Sequence, residues 1–236
     1  MSMRLTATVL SAPFLLFCLV SSLCAQEVAQ TAGIQVEFIS TTVTQPDPIE
    51  QLWKYLDNSS LQGPSPDLLA LNGLRAGVLD AGFRKEFEAV LRRTDVPRRI
   101  PEGMMMLPGR AQEFIIGPVL TDRTVFVWKS PTSFIGRRFS RANYGMAVMA
   151  QPDANQRCDI SVTPLLRYGD ALNQYLDLNF LGVTASLQKG QSIILMPTAG
   201  TPAGLGTAFY WNNDRGGRLR TFVVITLTSV SKPEPR

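Results

Sequence analysis

The hydrophobic pattern between residues 26 and 91 alternates between strand-like and helix-like runs. Residues 35–39 and 74–79 each predict a strand, because apolar and polar positions alternate along them. Ile49, Leu52, Trp53 and Leu56 recur at i, i+3, i+4 and i+7, which predicts one apolar face of a helix. A short helical turn is expected after Pro64-Ser65-Pro66, and a charged amphipathic helix over residues 82–91.

From residue 92 onward, long helical periodicity gives way to short apolar runs separated by Gly, Pro, Asn and Asp. Residues 151–156 and 212–217 have the composition of hairpin turns. The runs predict seven strands, at residues 112–119, 121–129, 144–150, 158–166, 180–187, 191–196 and 219–229. We therefore expect an α+β protein in which a small mixed α/β region, residues 26–91, precedes a mainly antiparallel β region, residues 92–236, built as a sandwich or open sheet. The two regions form either separate units or one continuous domain.

For two of these strands the sequence also predicts that they lie in the same sheet. Residues 191–196 and 219–229 are apolar on both faces, and such strands belong in the interior of a sheet or against a second layer. Pro197, Pro202 and several glycines disfavour a helix in the connection between them. Both strands are therefore predicted to lie in the same sheet.

The first 25 residues have the order of regions found in secretory signal peptides. Arg4 is the only charged residue before Glu27, and an apolar stretch followed by small and polar residues separates the two. Cleavage is expected after Ala25, which predicts an exported protein of the periplasm, the outer membrane or the extracellular space. Two alternatives remain open: an uncleaved membrane anchor, and a lipoprotein with Cys24 as the lipidated residue.

Composition removes much familiar catalytic chemistry, because none of the 236 residues is histidine. Ser-His-Asp and Cys-His mechanisms and histidine-ligated zinc are therefore excluded. Walker A, GxGxxG, GxSxG, CxxC, EF-hand and HExxH motifs are absent, so no catalytic residue, cofactor or metal is predicted. Cys158, alone beyond the signal, is expected to be a packed strand residue, with a reactive thiol as the alternative.

Paired carboxylates are the remaining route to hydrolysis in a chain without histidine. Asp153 with Asp159, or Asp170 with Asp177, could form such a pair, although each of the four is expected to be a solvated turn residue.

Positive charge is concentrated in the second region. Residues 92–236 contain 18 basic and 10 acidic residues, whereas residues 26–91 contain 4 basic and 9 acidic residues. The basic residues cluster as Arg92, Arg93, Arg98, Arg99, Arg137, Arg138 and Arg141. These arginines are either a solvated surface balanced by the acidic region or a contact for an anionic partner, since guanidinium binds carboxylate and phosphate bidentately. Nucleic acid is not expected as a partner, because no recognition module accompanies the arginines.

Tyr210 and Trp211 form an aromatic pair beside a polar turn. They are interpreted either as cross-strand packing or as an exposed aromatic contact for a membrane, a sugar or a protein.

Several segments between residues 158 and 230 partially resemble the C-terminal β region of the secretin family. Gly190-Gln191 opens an apolar strand, Gly204-Leu205-Gly206 follows it, and Arg220 leads into a last apolar strand. Residues 159–164 resemble an earlier secretin strand that ends in proline. The resemblance implies a shared β topology and, if complete, a membrane-associated β oligomer whose hairpins would contain residues 180–187 and 219–229.

The sequence thus predicts an exported, non-enzymatic envelope or extracellular protein that acts by contact with a protein or an anionic envelope surface. Two alternatives stand beside it: a secretin-like, membrane-associated β oligomer, and a histidine-free, carboxylate-dependent hydrolase acting on a glycan.

Overall fold

A computed structural model describes residues 30–43, 47–94, 98–198, 204–206, 211–214 and 217–231. The described residues belong to one compact unit. The predicted signal peptide, Tyr210 and the side chain of Trp211 lie outside the described part of the structure.

The described chain is mostly antiparallel β structure with few helices. The helices are α1 (Pro66–Leu71), α2 (Arg84–Leu91) and three short 3₁₀ helices, Pro48–Tyr55, Ala81–Phe83 and Asn179–Leu181. The strands are β1 (Ala32–Thr42), β2 (Leu56–Asp57), β3 (Leu74–Leu79), β4 (Arg98–Met106), β5 (Ala111–Ser130), β6 (Ser133–Pro152), β7 (Cys158–Tyr168), β8 (Gln174–Leu176), β9 (Val183–Leu187), β10 (Ser192–Pro197), β11 (Trp211–Asp214) and β12 (Gly217–Val230).

Two sheets contain all of these strands. Sheet A has the order β2-β3-β10-β12-β1-β4, with β11 also paired to β12. Sheet B has the order β5-β6-β7-β8, with β9 also paired to β7. Sheet A therefore combines strands from before and after residue 92, with β1 lying between β12 and β4.

The predicted partnership of the two apolar strands is confirmed. β10 pairs with β12 in antiparallel register, with Ile194 opposite Val224. Val223, Ile225 and Leu227 of β12 belong to the main core between the sheets. Phe222 and Val224 belong to a second core with Phe87 of α2, because helices cover that face of sheet A. Burial on both faces explains why β12 is apolar at successive positions.

The helices predicted within residues 26–91 are found close to their predicted positions, although one helix is of a different type. Residues 48–55 form a 3₁₀ helix, not an α-helix, with Asp47 accepting the Ile49 N–H and Pro48 at the first turn. α1 and α2 lie where the apolar spacing places them, and Ser65 caps α1 through the Leu68 N–H.

Several predicted boundaries in the second region are wrong. The two strands predicted over residues 112–119 and 121–129 are one strand, β5, whose pairing with β6 is irregular between Ile116 and Leu120. Pro118 lies inside that irregularity. Proline has no N–H to donate to a neighbouring strand, so it interrupts the pairing there. Strand β6 is 20 residues long where the sequence predicts seven. Residues 212–214, predicted as part of a turn, belong to β11, which pairs with β12.

Candidate functional site

The long hairpin of β5 and β6 extends beyond the rest of sheet B. β7 pairs with β6 only over residues 142–152, so the hairpin continues past Ala142 as a two-stranded ribbon. We call residues 120–142 the distal hairpin. Within it Val125 lies opposite Arg137, and Trp128 lies opposite Phe134.

The β5 edge of the distal hairpin is fastened to the body of the protein. The buried Asn72 side chain donates from Nδ2 to the Trp128 carbonyl oxygen at 2.8 Å and accepts from the Trp128 N–H at 2.9 Å. The amide of Asn72 thus takes the place of a neighbouring strand residue. Phe126 of β5 forms a parallel β-bridge with Gly204. Val125, Val127 and Phe139 enter the main core and hold the ribbon in place.

A row of aromatic rings covers the other face of the ribbon. The rings of Phe134 and Trp128 lie 4.8 Å apart, and those of Phe134 and Phe126 lie 6.0 Å apart, in tilted and edge geometries that favour aromatic pairs. A Cβ at Gly136 would lie 2.8 Å from the Phe126 ring, so glycine there lets that ring lie against the backbone. Phe134 remains 53% exposed, so the row faces solvent.

Three of the arginines selected from sequence lie on β6 in this ribbon. Arg137 lies over the Tyr168 ring at 4.2 Å and donates from Nη1 to the Tyr168 hydroxyl at 3.0 Å. Arg138 pairs with Asp122 at 3.0 Å, with both side chains about 70% exposed. Arg141 donates to the Asp170 carbonyl oxygen at 3.0 Å. Each of these contacts uses only some of the five N–H groups of its guanidinium, so each arginine keeps donors for a partner.

The outer edge of β6 is open along this ribbon. Over residues 133–141, β6 pairs with β5 on one side and with no other described strand on its second side. The distal hairpin contains five basic residues and one acidic residue, Asp122. An unpaired strand edge therefore coincides with a strongly positive segment.

An open depression of about 600 Å³ lies beside the tip of the ribbon. It is lined by Asp67, Ala70 and Leu71 of α1 and by Trp128 and Pro131 of the hairpin. Among the described residues that line it, Asp67 is the one carboxylate, whereas paired-carboxylate hydrolysis requires two.

The other arginines selected from sequence lie on different elements. Arg99, an exposed residue of β4, belongs to an ion-pair cluster around the buried Glu37. It donates from Nε to the buried Glu37 carboxylate at 2.7 Å and makes two 2.9 Å hydrogen bonds to Glu88. Arg84 also binds Glu37 at 2.9 Å, so the cluster ties α2 to sheet A. Arg98 is exposed at the start of β4, and Arg92 and Arg93 are exposed just after α2.

A buried cation, Arg220, was not among the site residues predicted from the sequence. Arg220 of β12 is fully buried and pairs with Asp47 at 2.7 Å, while its Nη1 lies 3.8 Å from Glu50. It lies at the start of the last secretin-like strand, but its acidic partners Asp47 and Glu50 are at least 170 residues away along the chain. Only the fold brings them together.

The residues considered for catalysis are dispersed. Cys158 is fully buried, as predicted for a packed strand residue, and burial raises the pKa of its thiol to about 11. Asp153 accepts the N–H groups of Asn155 and Arg157 in the β6–β7 turn, and Asp177 accepts that of Asn179. Asp159 and Asp170 are exposed. These carboxylates therefore act in turns or face solvent.

The two segments considered for membrane hairpins lie inside the described fold. Residues 222–225 of β12 are fully buried between β1 and β10, and Val183, Ala185 and Leu187 of β9 face the main core. In this arrangement their apolar side chains contact protein. No helix within the described ranges is long and apolar enough to cross a membrane, and those residues contain no cluster of His, Cys, Asp and Glu that could hold a metal ion.

Comparison of the chain with protein-family models, curated proteins and solved structures finds no match.

Proposed function

We propose that this is an exported, non-enzymatic protein that acts by contact with a protein or an anionic surface in the cell envelope or outside the cell. The observation that carries the proposal is the distal hairpin, where an open strand edge, exposed aromatic rings and three arginines lie together. Aromatic residues and arginine are the side chains most enriched in contact surfaces.

Export rests on the N-terminal sequence. One basic residue, an apolar stretch and a small-residue segment precede Gln26, which is the order of a cleaved signal. N-terminal sequencing of the protein from its native host should find a start at Gln26 or within a few residues of it. An intact Met1 would instead support a membrane anchor.

The partial resemblance to secretins enters the proposal only as a shared arrangement of strands. The segments that carry it belong to β7 and β9 in sheet B and to β10 and β12 in sheet A. The proposed contact function does not depend on it.

Site-specific crosslinking in the native host tests the contact surface. A photoreactive benzoylphenylalanine replaces Phe134 in one strain and Phe83, an exposed residue of the Ala81–Phe83 helix, in a matched control. We expect a discrete covalent adduct from position 134 that is absent from position 83. Adducts of equal yield at both positions, or none at position 134 in correctly exported protein, would contradict a contact function for the distal hairpin.

A further inference from the structure

We propose that the open edge of β6 binds an acidic peptide in extended conformation, which adds to the distal hairpin as a third strand. This inference rests on the proposed contact function and names the chemistry of the partner. It combines two observations: an edge with unpaired backbone groups, and the positive charge that flanks it.

The two edges of the distal hairpin differ in what they can accept. On β5, the Asn72 side chain occupies both backbone groups of Trp128, and Gly204 bridges Phe126. On β6, residues 133–141 have no strand on the outer side within the described chain. In an antiparallel pair, alternate residues direct their N–H and C=O groups away from the partner strand. The β6 edge therefore presents a row of donors and acceptors, the feature that strand-adding peptides use.

β4, one of the edge strands of sheet A, is a poorer acceptor. β4 contains Pro101, which has no N–H, and Glu102, which would repel an acidic strand. By contrast, residues 133–141 contain no proline and no acidic residue. The open β6 segment is thus suited to strand addition by both backbone and charge.

The arginines specify an acidic occupant. Arg137 and Arg138 are neighbours in a strand, so their side chains project from opposite faces. Acidic side chains on either face of an added strand would then meet a guanidinium, and cross-strand pairs of opposite charge stabilise a sheet. Stacking on Tyr168 holds Arg137 in place, while Arg138 and Arg141 remain exposed.

Charge also argues against a second copy of this chain as the occupant. Two β6 edges pairing with each other would bring six arginines into one small sheet, and like charges opposite each other destabilise strand pairs. Five basic residues against one acidic residue in the distal hairpin instead complement a negatively charged peptide.

The binding experiment uses a fluorescent nine-residue peptide of alternating glutamate and valine, titrated with the full processed chain and followed by fluorescence anisotropy. We expect saturable binding. The double variant Arg138→Glu/Arg141→Glu should weaken binding at least tenfold, whereas the matched reversal Arg93→Glu, at an exposed site after α2, should leave it within twofold. Far-UV circular dichroism and melting confirm that all variants stay folded.

Two altered peptides separate strand addition from simple charge attraction. A peptide N-methylated at every residue keeps its carboxylates but cannot donate backbone hydrogen bonds, so it should bind at least tenfold more weakly. A peptide with lysine in place of glutamate should not bind. Equal binding of the methylated and unmethylated acidic peptides, or equal binding to the double variant and the parent protein, overturns the proposal.

Other occupants give distinct results. Dimerisation in analytical ultracentrifugation that the double variant abolishes would show that the edge takes a second copy and would overturn the proposal. Binding to vesicles of anionic lipid, without binding to the acidic peptide, would overturn it in favour of a surface. If position 134 forms adducts in the cell while the peptide does not bind, strand addition fails and the proposed contact function stands.

Discussion

Replacing Asn72 with alanine should release the tip of the distal hairpin from the body of the protein. The Asn72 amide makes three hydrogen bonds: to the Leu68 carbonyl oxygen at 2.9 Å, to the Trp128 carbonyl oxygen at 2.8 Å, and from the Trp128 N–H at 2.9 Å. One side chain therefore joins the end of α1 to β5. Alanine removes all three bonds without adding bulk.

The expected loss of stability follows from the number of bonds and their burial. A net contribution of about 1 kcal/mol for each bond gives a loss of about 3 kcal/mol in the free energy of unfolding. Asn72 is fully buried, but Trp128 is only partly buried, so water can reach some of the groups left unpaired and the loss should not greatly exceed this figure. For a domain of this size, about 3 kcal/mol lowers Tm by about 6–12 °C. The variant should still fold, because small domains have about 5–15 kcal/mol of stability.

Urea unfolding and amide hydrogen exchange measure the effect together. The unfolding free energy should fall as stated, and the Trp128 amide should lose protection while amides in β10 and β12 keep their order of protection. Asn173→Ala, at an exposed position between β7 and β8, is the control and should change stability by less than about 0.5 kcal/mol. An Asn72→Ala protein as stable as the parent, with Trp128 still protected, would refute the argument that this amide anchors the hairpin.

Three further predictions concern two buried residues, Cys158 and Val224, and the partly exposed Glu88. Cys158→Ser should lower the unfolding free energy by about 1–3 kcal/mol in urea, because a hydroxyl replaces a fully buried thiol; an unchanged value would argue against burial. Val224→Glu should prevent cooperative unfolding in circular dichroism melts, because it buries an unpaired charge, while Asn155→Glu in an exposed turn should melt like the parent. The Arg99 hydrogen bond holds the pKa of Glu88 below its ordinary value of 4.5. The unfolded state therefore binds more protons than the folded state at low pH. The stabilisation from this carboxylate is complete only above pH 4.5, and it is lost as pH falls through the lowered pKa. Glu88→Gln should therefore flatten the loss of stability between about pH 5 and 3, and an unaltered pH profile would contradict this.

The local hydrophobic pattern was sufficient to predict a strand where a layer of protein covers each of its faces. β10 and β12 are apolar at successive positions because the main core lies on one side and the helices on the other. The amphipathic spacing in α2 likewise identifies Phe87 and Leu91 as core residues. These assignments follow from side-chain direction within one element, which the sequence determines.

The distal hairpin could not be predicted in the same way. Most of residues 130–141 are exposed, so they carry no hydrophobic alternation to mark a strand. Their strand conformation depends on register with β5, which is itself held by the contact between Trp128 and Asn72, 56 residues apart along the chain. Asn72 directly follows α1, and nothing in the local sequence shows that its amide also binds a strand.

Arginines of the same apparent kind have different roles, and the fold assigns them. Arg99 binds the buried Glu37 and the buried Arg220 binds Asp47, so removing either arginine would leave a poorly solvated carboxylate short of a partner and should destabilise the fold. Arg138 and Arg141 are exposed, and exposed ion pairs contribute little to stability. Charge reversal at Arg138 and Arg141 should therefore weaken binding without changing folding. Charge reversal at Arg220 should instead destabilise the fold. The sequence shows only that all four residues are basic; the burial of Arg220, and of the Glu37 carboxylate that Arg99 binds, separates the structural arginines from those available to a partner.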